Sequence, residues 1–111
     1  MKPPRIYLQH TLECIALIRE YTKDKNLEEF LSDPQLQDAV IRRLEIIGEA
    51  LRHLLRDFRE KHPQVPWCEI VGMRNVLIHE YFGVNLKWAW ETVVSEMPEL
   101  ERRVREILGP L

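Results

Sequence analysis

The chain has 111 residues, enough for one compact domain, and we expect residues 1–111 to form a single one. Hydrophobic residues make up 45% and charged residues 31%, which excludes a disordered tail. Sixteen Lys and Arg against eighteen Asp and Glu give a formal charge of −2, which excludes a generally basic nucleic-acid coat. Any nucleic acid must then be held at a local site.

The first periodic segment runs from about Pro4 to Tyr21, with Leu8, Leu12, Ile15 and Ile18 on one helix face. Pro3 and Pro4 suit its start, where a missing N–H costs little. Asn26 stands three residues before Glu29, the spacing of a capping box, and predicts a short helix over Leu27–Leu31. Asp33-Pro34 is a second helix-start signal. From there Val40, Leu44, Ile47, Leu51, Leu54 and Phe58 step by four and three, predicting one seam about six turns long. Gly48 inside it costs about 1 kcal/mol relative to Ala, so it points to close approach by a neighbouring backbone.

His62-Pro63-Gln64-Val65-Pro66 breaks the pattern. The next helix is predicted from near Pro66 to Tyr81 or Phe82, with Trp67, Ile70, Leu77, Ile78 and Tyr81 on its buried side and Gly83 as its stop. Asn85 is a cap for the last helix, in which Trp90, Val93, Met97, Leu100, Val104 and Ile107 share a face. Pro98 lies within that pattern and predicts a kink or a break. No segment alternates at period two for long enough to be a strand. The expected fold is an all-α, antiparallel bundle of four main helices plus one short one.

No apolar run approaches the roughly 18–20 residues of a membrane span, and the N-terminus lacks a signal-peptide pattern. Cys14 and Cys68 are far apart and read as free thiols of a reducing cytoplasm. Neither has a His or Arg neighbour in the sequence that would activate it. His53 and His62 lack further ligands at regular spacing, so neither a metal nor a cofactor is expected. His10 reads as solvated. Residues 42–61 hold six Lys/Arg against four Asp/Glu, and a solvated face is favoured there over an RNA guide. Trp67, Trp88 and Trp90 read as core or dimer contacts. The charged last helix, from Glu99 to Glu106, reads as a solvated outer face.

The chemistry is concentrated in Met73-Arg74-Asn75-Val76-Leu77-Ile78-His79-Glu80-Tyr81. Arg74 offers a permanent cation with a planar fork suited to phosphate. His79 can take or give a proton near neutral pH. Together they are sufficient in kind to cleave RNA without a metal. Five residues on an ideal helix leave the two about 140° apart and about 7.5 Å along the axis. They can border one cleft if Arg74 reaches round, or a symmetric dimer can complete the site. A surface Arg and a hydrogen-bonded His near a helix end is the alternative. Glu49, next to Gly48, is expected to pair with Arg52 or His53, with the cleft as its other possible direction.

Arg74-x4-His79-x-Tyr81 resembles the signature of the HepT family, minimal members of the HEPN ribonuclease superfamily. Asp33-Pro34 through Glu49-Ala50 is similar to that family's long second helix. His62-Pro63, Val65-Pro66-Trp67 and Gly72-Met73-Arg74-Asn75 resemble its approach to the active helix, and Tyr81-Phe82-Gly83-Val84 its exit. The resemblance implies an all-α homodimer, the toxin of a type II toxin–antitoxin pair, that cleaves RNA without metal through Arg74 and His79. Asn75 matches the polar position that follows the Arg. The implied partner is an MntA-type nucleotidyltransferase antitoxin that transfers AMP from ATP to Tyr81. The alternative is a non-catalytic HEPN subunit that binds nucleotide or protein for such a nucleotidyltransferase.

Overall fold

The structure, a computed structural model, describes residues 2–79 and 85–109, and at residues 78 and 79 the backbone alone. Helix α1 spans Pro4–Thr22, α2 Leu27–Leu31, α3 Pro34–Arg52, α4 Arg56–Lys61, α5 Trp67–His79, α6 Leu86–Glu91 and α7 Met97–Leu108. There is no β-strand among the described residues. The architecture is the all-α bundle expected, with α1, α3, α5 and the α6–α7 unit as its main members.

Local chemistry sets the early boundaries. Pro4 occupies the first turn of α1, and Leu8, Cys14, Ile15 and Ile18 are buried with Thr11. The Thr11 hydroxyl is satisfied by donating to the Tyr7 carbonyl at 2.9 Å. Leu12 lies at the edge of this face and is half-buried. Asp24 takes a φ of 59° in the connection, a conformation that Asp tolerates better than most residues. The capping box forms as its spacing predicts: the Glu29 N–H donates to Asn26 Oδ1 at 2.9 Å, and the Asn26 N–H donates to Glu29 Oε1 at 3.2 Å. Phe30 of α2 is fully buried, its ring 5.3 Å from that of Trp90. The Asp33 side chain caps α3 by accepting from the Leu36 N–H at 3.1 Å.

One element departs from the sequence reading. The six-turn seam is not one helix. The chain leaves α3 at His53, and its next backbone bonds are the tighter His53 N–H to Ala50 O and Leu54 N–H to Leu51 O. A second short helix, α4, then begins. Leu54 is buried and Phe58 half-buried, so the periodicity recorded which side chains face the core and not whether the backbone stays helical. Arg59 makes the break stable by donating to the Leu51 and Arg52 carbonyls, both at 3.1 Å.

At Pro98 the predicted interruption takes a defined form. Thr92–Glu96 make a π turn, and the Met97 N–H bonds to the Thr92 carbonyl five residues back. Pro98 has no N–H and its ring would press on the carbonyl four residues earlier. Widening the preceding turn relieves both, and Pro98 then sits in the first turn of α7. Val93, Met97, Leu100 and Val104 remain buried through the irregularity, while Trp90 and Ile107 are half-buried.

Helix α3 is central, packing on α1 on one side and α5 on the other, and α7 closes on α1. Tyr7 near the start of α1 stacks on His53 just past the end of α3, with ring centroids 5.2 Å apart, so the two run antiparallel. Arg19 near the end of α1 pairs with Glu101 near the start of α7, which makes that pair antiparallel as well. Glu101 is only 15% exposed, against 57% for Arg19.

Arg19 holds the Glu101 carboxyl below the usual carboxylate range, with Arg105 assisting and burial opposing. The folded state therefore favours ionised Glu101. Its stabilisation is present above the unfolded carboxylate pKa, about 4.3, and is lost as pH falls through the lower folded value. Glu101→Gln is expected to cost about 1 kcal/mol at pH 7, a modest figure because Arg19 is solvent-screened. That corresponds to a melting temperature lower by about 3–6 °C. The difference from the parent should close towards pH 3; a gap independent of pH would mean the charge is not its source.

Candidate active site

The approach to α5 is fixed by Trp67, whose indole N–H donates to the His62 carbonyl at 2.9 Å while Val65 is buried beneath. Arg103 of α7 donates to the Gln64 carbonyl and ties the same connection to the last helix. Along α5 the buried side chains are Trp67, Ile70, Met73 and Leu77, spaced by three and four. Arg74 follows Met73 at the border of this face, and its side chain is 22% exposed. Asn75 and Val76 point outward, with Val76 41% exposed.

Gly48 accounts for how closely α5 approaches α3. A Cβ on Gly48 would overlap the Arg74 Cβ and stand 3.3 Å from the Arg74 Cα. The absence of a side chain at Gly48 thus lets the Arg74 backbone settle against α3. The close approach expected from the sequence is real, and the element that approaches is the segment carrying Arg74.

Glu49, the next residue on α3, meets the Arg74 guanidinium. Its Oε2 lies 2.6 Å from Arg74 Nε. Both atoms are enclosed, and the contact is an ion pair in which the N–H is not directed at the oxygen. Arg74 Nη1 donates to Asn75 Oδ1 at 3.2 Å. The other Glu49 oxygen, Oε1, lies 3.3 Å from Arg52 Nη2 and 3.4 Å from His53 Nε2. Glu49 therefore makes the expected pairing with Arg52 and His53 and also faces Arg74, so the two directions weighed for it are both realised. The Arg52 hydrogen bond is the main influence that lowers the Glu49 carboxyl below the ordinary range. Desolvation opposes it, and the charges of Arg52, Arg74 and His53 add to it.

Helix α5 runs unbroken from Trp67 to His79, so the Arg74 and His79 backbones keep helical spacing. The His79 side chain and Tyr81 lie outside the described residues, as do Gly83 and the Ile78 side chain. Arg74, Asn75 and Glu49 are brought together.

Other charged groups are engaged elsewhere. Arg42 pairs with Glu45 at 3.4 Å and Arg56 with Glu60 at 3.0 Å, while Arg59 caps α3. Arg102 and Arg103 both pair with Glu99 on the outer face of α7. Cys14 has a neighbour that its sequence context does not reveal, Arg43 of α3, but burial outweighs it and pushes the thiol pKa up. Cys68 is exposed. No described helix is long and apolar enough to cross a membrane.

Known proteins resemble this chain along nearly its whole length. Residues 11–107 match the family model described as "Ribonuclease HepT-like". The chain is 55% identical to "Putative RNase TTE0752" of Caldanaerobacter subterraneus, over 97% of this chain and 96% of that protein. It is 45% identical to "Probable ribonuclease HepT" of Thermococcus cleftensis, over 91% of this chain and 92% of that one. It is also 50% identical to "Gamma-glutamylcyclotransferase and putative RNase MJ0434" of Methanocaldococcus jannaschii, over 99% of this chain but 50% of that longer protein. No solved structure gives a significant match.

Proposed function

The chain belongs to the HepT-like ribonuclease family, and from that premise we propose that it is a metal-independent endoribonuclease in which Arg74 and His79 act as a pair. The observation that supports this reading best is Arg74 itself. An arginine seated against a glycine, with its guanidinium between Glu49 and Asn75, begins the six-residue span that ends at His79.

In the proposed reaction neutral His79 takes the proton of a ribose 2′-OH. The freed oxygen attacks the adjacent phosphorus and the P–O5′ bond breaks. The 5′ oxygen leaves with a proton returned from the imidazolium or from water. Arg74 stabilises the charge that gathers on the phosphoryl oxygens, and Asn75 supports the guanidinium. The products carry a 2′,3′-cyclic phosphate and a 5′-hydroxyl. Residues 1–111 act as one domain and, as a homodimer, two copies of α5 border a shared cleft; the exposed Val76 beside Arg74 and Asn75 is an apolar contact suited to such pairing.

In the same proposal the protein is the cytoplasmic toxin of a toxin–antitoxin pair. A partner nucleotidyltransferase transfers AMP from ATP to the Tyr81 phenol, releasing pyrophosphate. The added phosphate is an anion two residues from His79, of the charge that Arg74 is suited to bind, and would compete with RNA for it.

Purified protein is expected to cleave single-stranded RNA with EDTA present and to leave 2′,3′-cyclic phosphate ends, and His79→Ala is expected to abolish this. Cleavage only with added divalent metal, or 3′-hydroxyl ends, would refute the mechanism. No cleavage by the parent under any of these conditions would instead favour a non-catalytic subunit that binds nucleotide or protein.

A further inference from the structure

Glu49 is the one acidic side chain described against Arg74, and it contacts the guanidinium at Nε, which leaves the edge between the two terminal nitrogens for an anion. A guanidinium has two edges suited to paired recognition of an oxyanion, and its orientation is free unless something holds it. Here the Glu49 carboxylate sits at Nε, the inner corner, with both atoms enclosed. Asn75 Oδ1 takes Nη1 from the other side. Glu49 is itself held by Arg52 and His53 through its second oxygen, and its backbone is fixed because Gly48 packs against the Arg74 Cβ. Adjacent residues of α3 thus set both where Arg74 begins and how its end is turned.

We propose that Glu49 is a positioning residue for the RNA-cleavage reaction, clamping the inner corner of the Arg74 guanidinium so that its terminal nitrogens face the scissile phosphate. This rests on the ribonuclease reading above, but the clamp itself is a property of the folded protein and can be read without substrate. The arrangement also has an electrostatic consequence. Glu49 shares its charge among Arg52, His53 and Arg74, so Arg74 is oriented while keeping part of its attraction for an anion. A carboxylate paired with Arg74 alone would neutralise it more completely.

The test uses Glu49→Gln, which keeps the side-chain shape and removes the charge. Proton–nitrogen spectra report the Arg74 Nε–H, assigned by its absence in Arg74→Lys. In the parent this proton is expected to exchange slowly with water. In Glu49→Gln its exchange should rise by about tenfold or more, with the backbone amide spectrum otherwise preserved. In parallel, RNA cleavage should show kcat lower by about tenfold and KM unchanged or lower, because a negative charge near bound RNA has been removed while orientation has been lost. A protected Arg74 Nε–H in Glu49→Gln, or an unchanged kcat, would overturn the proposal. If the parent cleaves no RNA, the ribonuclease reading falls, and with it Glu49's catalytic purpose; the exchange measurement still decides whether the clamp exists.

Discussion

Arg74→Ala is expected to lower RNA cleavage by about 10²–10³-fold, the range typical for removing one preorganised donor from a developing oxyanion. The same substitution should leave the helical content unchanged. Alanine keeps the Cβ that packs over Gly48, so the α3–α5 contact survives. Glu49 retains Arg52 and His53, so no carboxylate is stranded without a partner. Arg74→Lys sharpens the test. Lysine keeps the positive charge but offers a point donor in place of a planar fork, and cannot meet Glu49 and a phosphate at separate nitrogens. It should recover only a minor part of the activity. Cleavage at parental rates in Arg74→Ala, measured with circular dichroism confirming the fold, would remove Arg74 from the mechanism.

Gly48→Ala is the substitution with the second large effect, and it acts on fold and site together. Its new Cβ would overlap the Arg74 Cβ, and neither atom is the far end of a flexible chain that could swing away. Helices α3 and α5 must therefore move apart. Overpacking of this kind costs about 1–3 kcal/mol, against a helix-propensity gain of about 1 kcal/mol for replacing glycine by alanine. The expected outcome is a lower urea midpoint together with reduced cleavage in the fraction that remains folded, since Arg74 shifts relative to Glu49. Gly72→Ala is the control on the same helix pair. A Cβ there meets nothing within 4 Å, so only the propensity gain, up to about 1 kcal/mol, remains. If Gly48→Ala stabilised the protein as Gly72→Ala should, the close approach would not be what glycine is there for.

Much of the fold could be read from local chemistry. The caps at Asn26, Asp33 and Asn85 form because a short oxygen-bearing side chain at that position reaches the exposed N–H groups of the first turn, whatever the rest of the chain does. The buried faces of α1, α3 and α7 follow a spacing of three and four, which one helix suffices to define. The ends of long helices were less legible. The end of α3 at Arg52 depends on Arg59 returning from α4 to take its last carbonyls, a contact made possible only by the turn it stabilises.

The same division runs through the candidate site. The sequence by itself determined that Arg74, Asn75 and His79 share one helix at fixed intervals, because helical geometry turns spacing into position. It also marked Gly48 as a place of close approach, because glycine inside a helix is unfavourable without a reason. Only the tertiary structure decided that the approaching residue is Arg74, and that Glu49 divides its carboxylate between Arg52 and His53 at its own helix end and the guanidinium of α5. The reason is one of range. Caps and periodic faces are settled within a turn or two of chain, whereas Gly48 and Glu49 meet Arg74 across some 25 residues of sequence, through a contact fixed by how two helices pack.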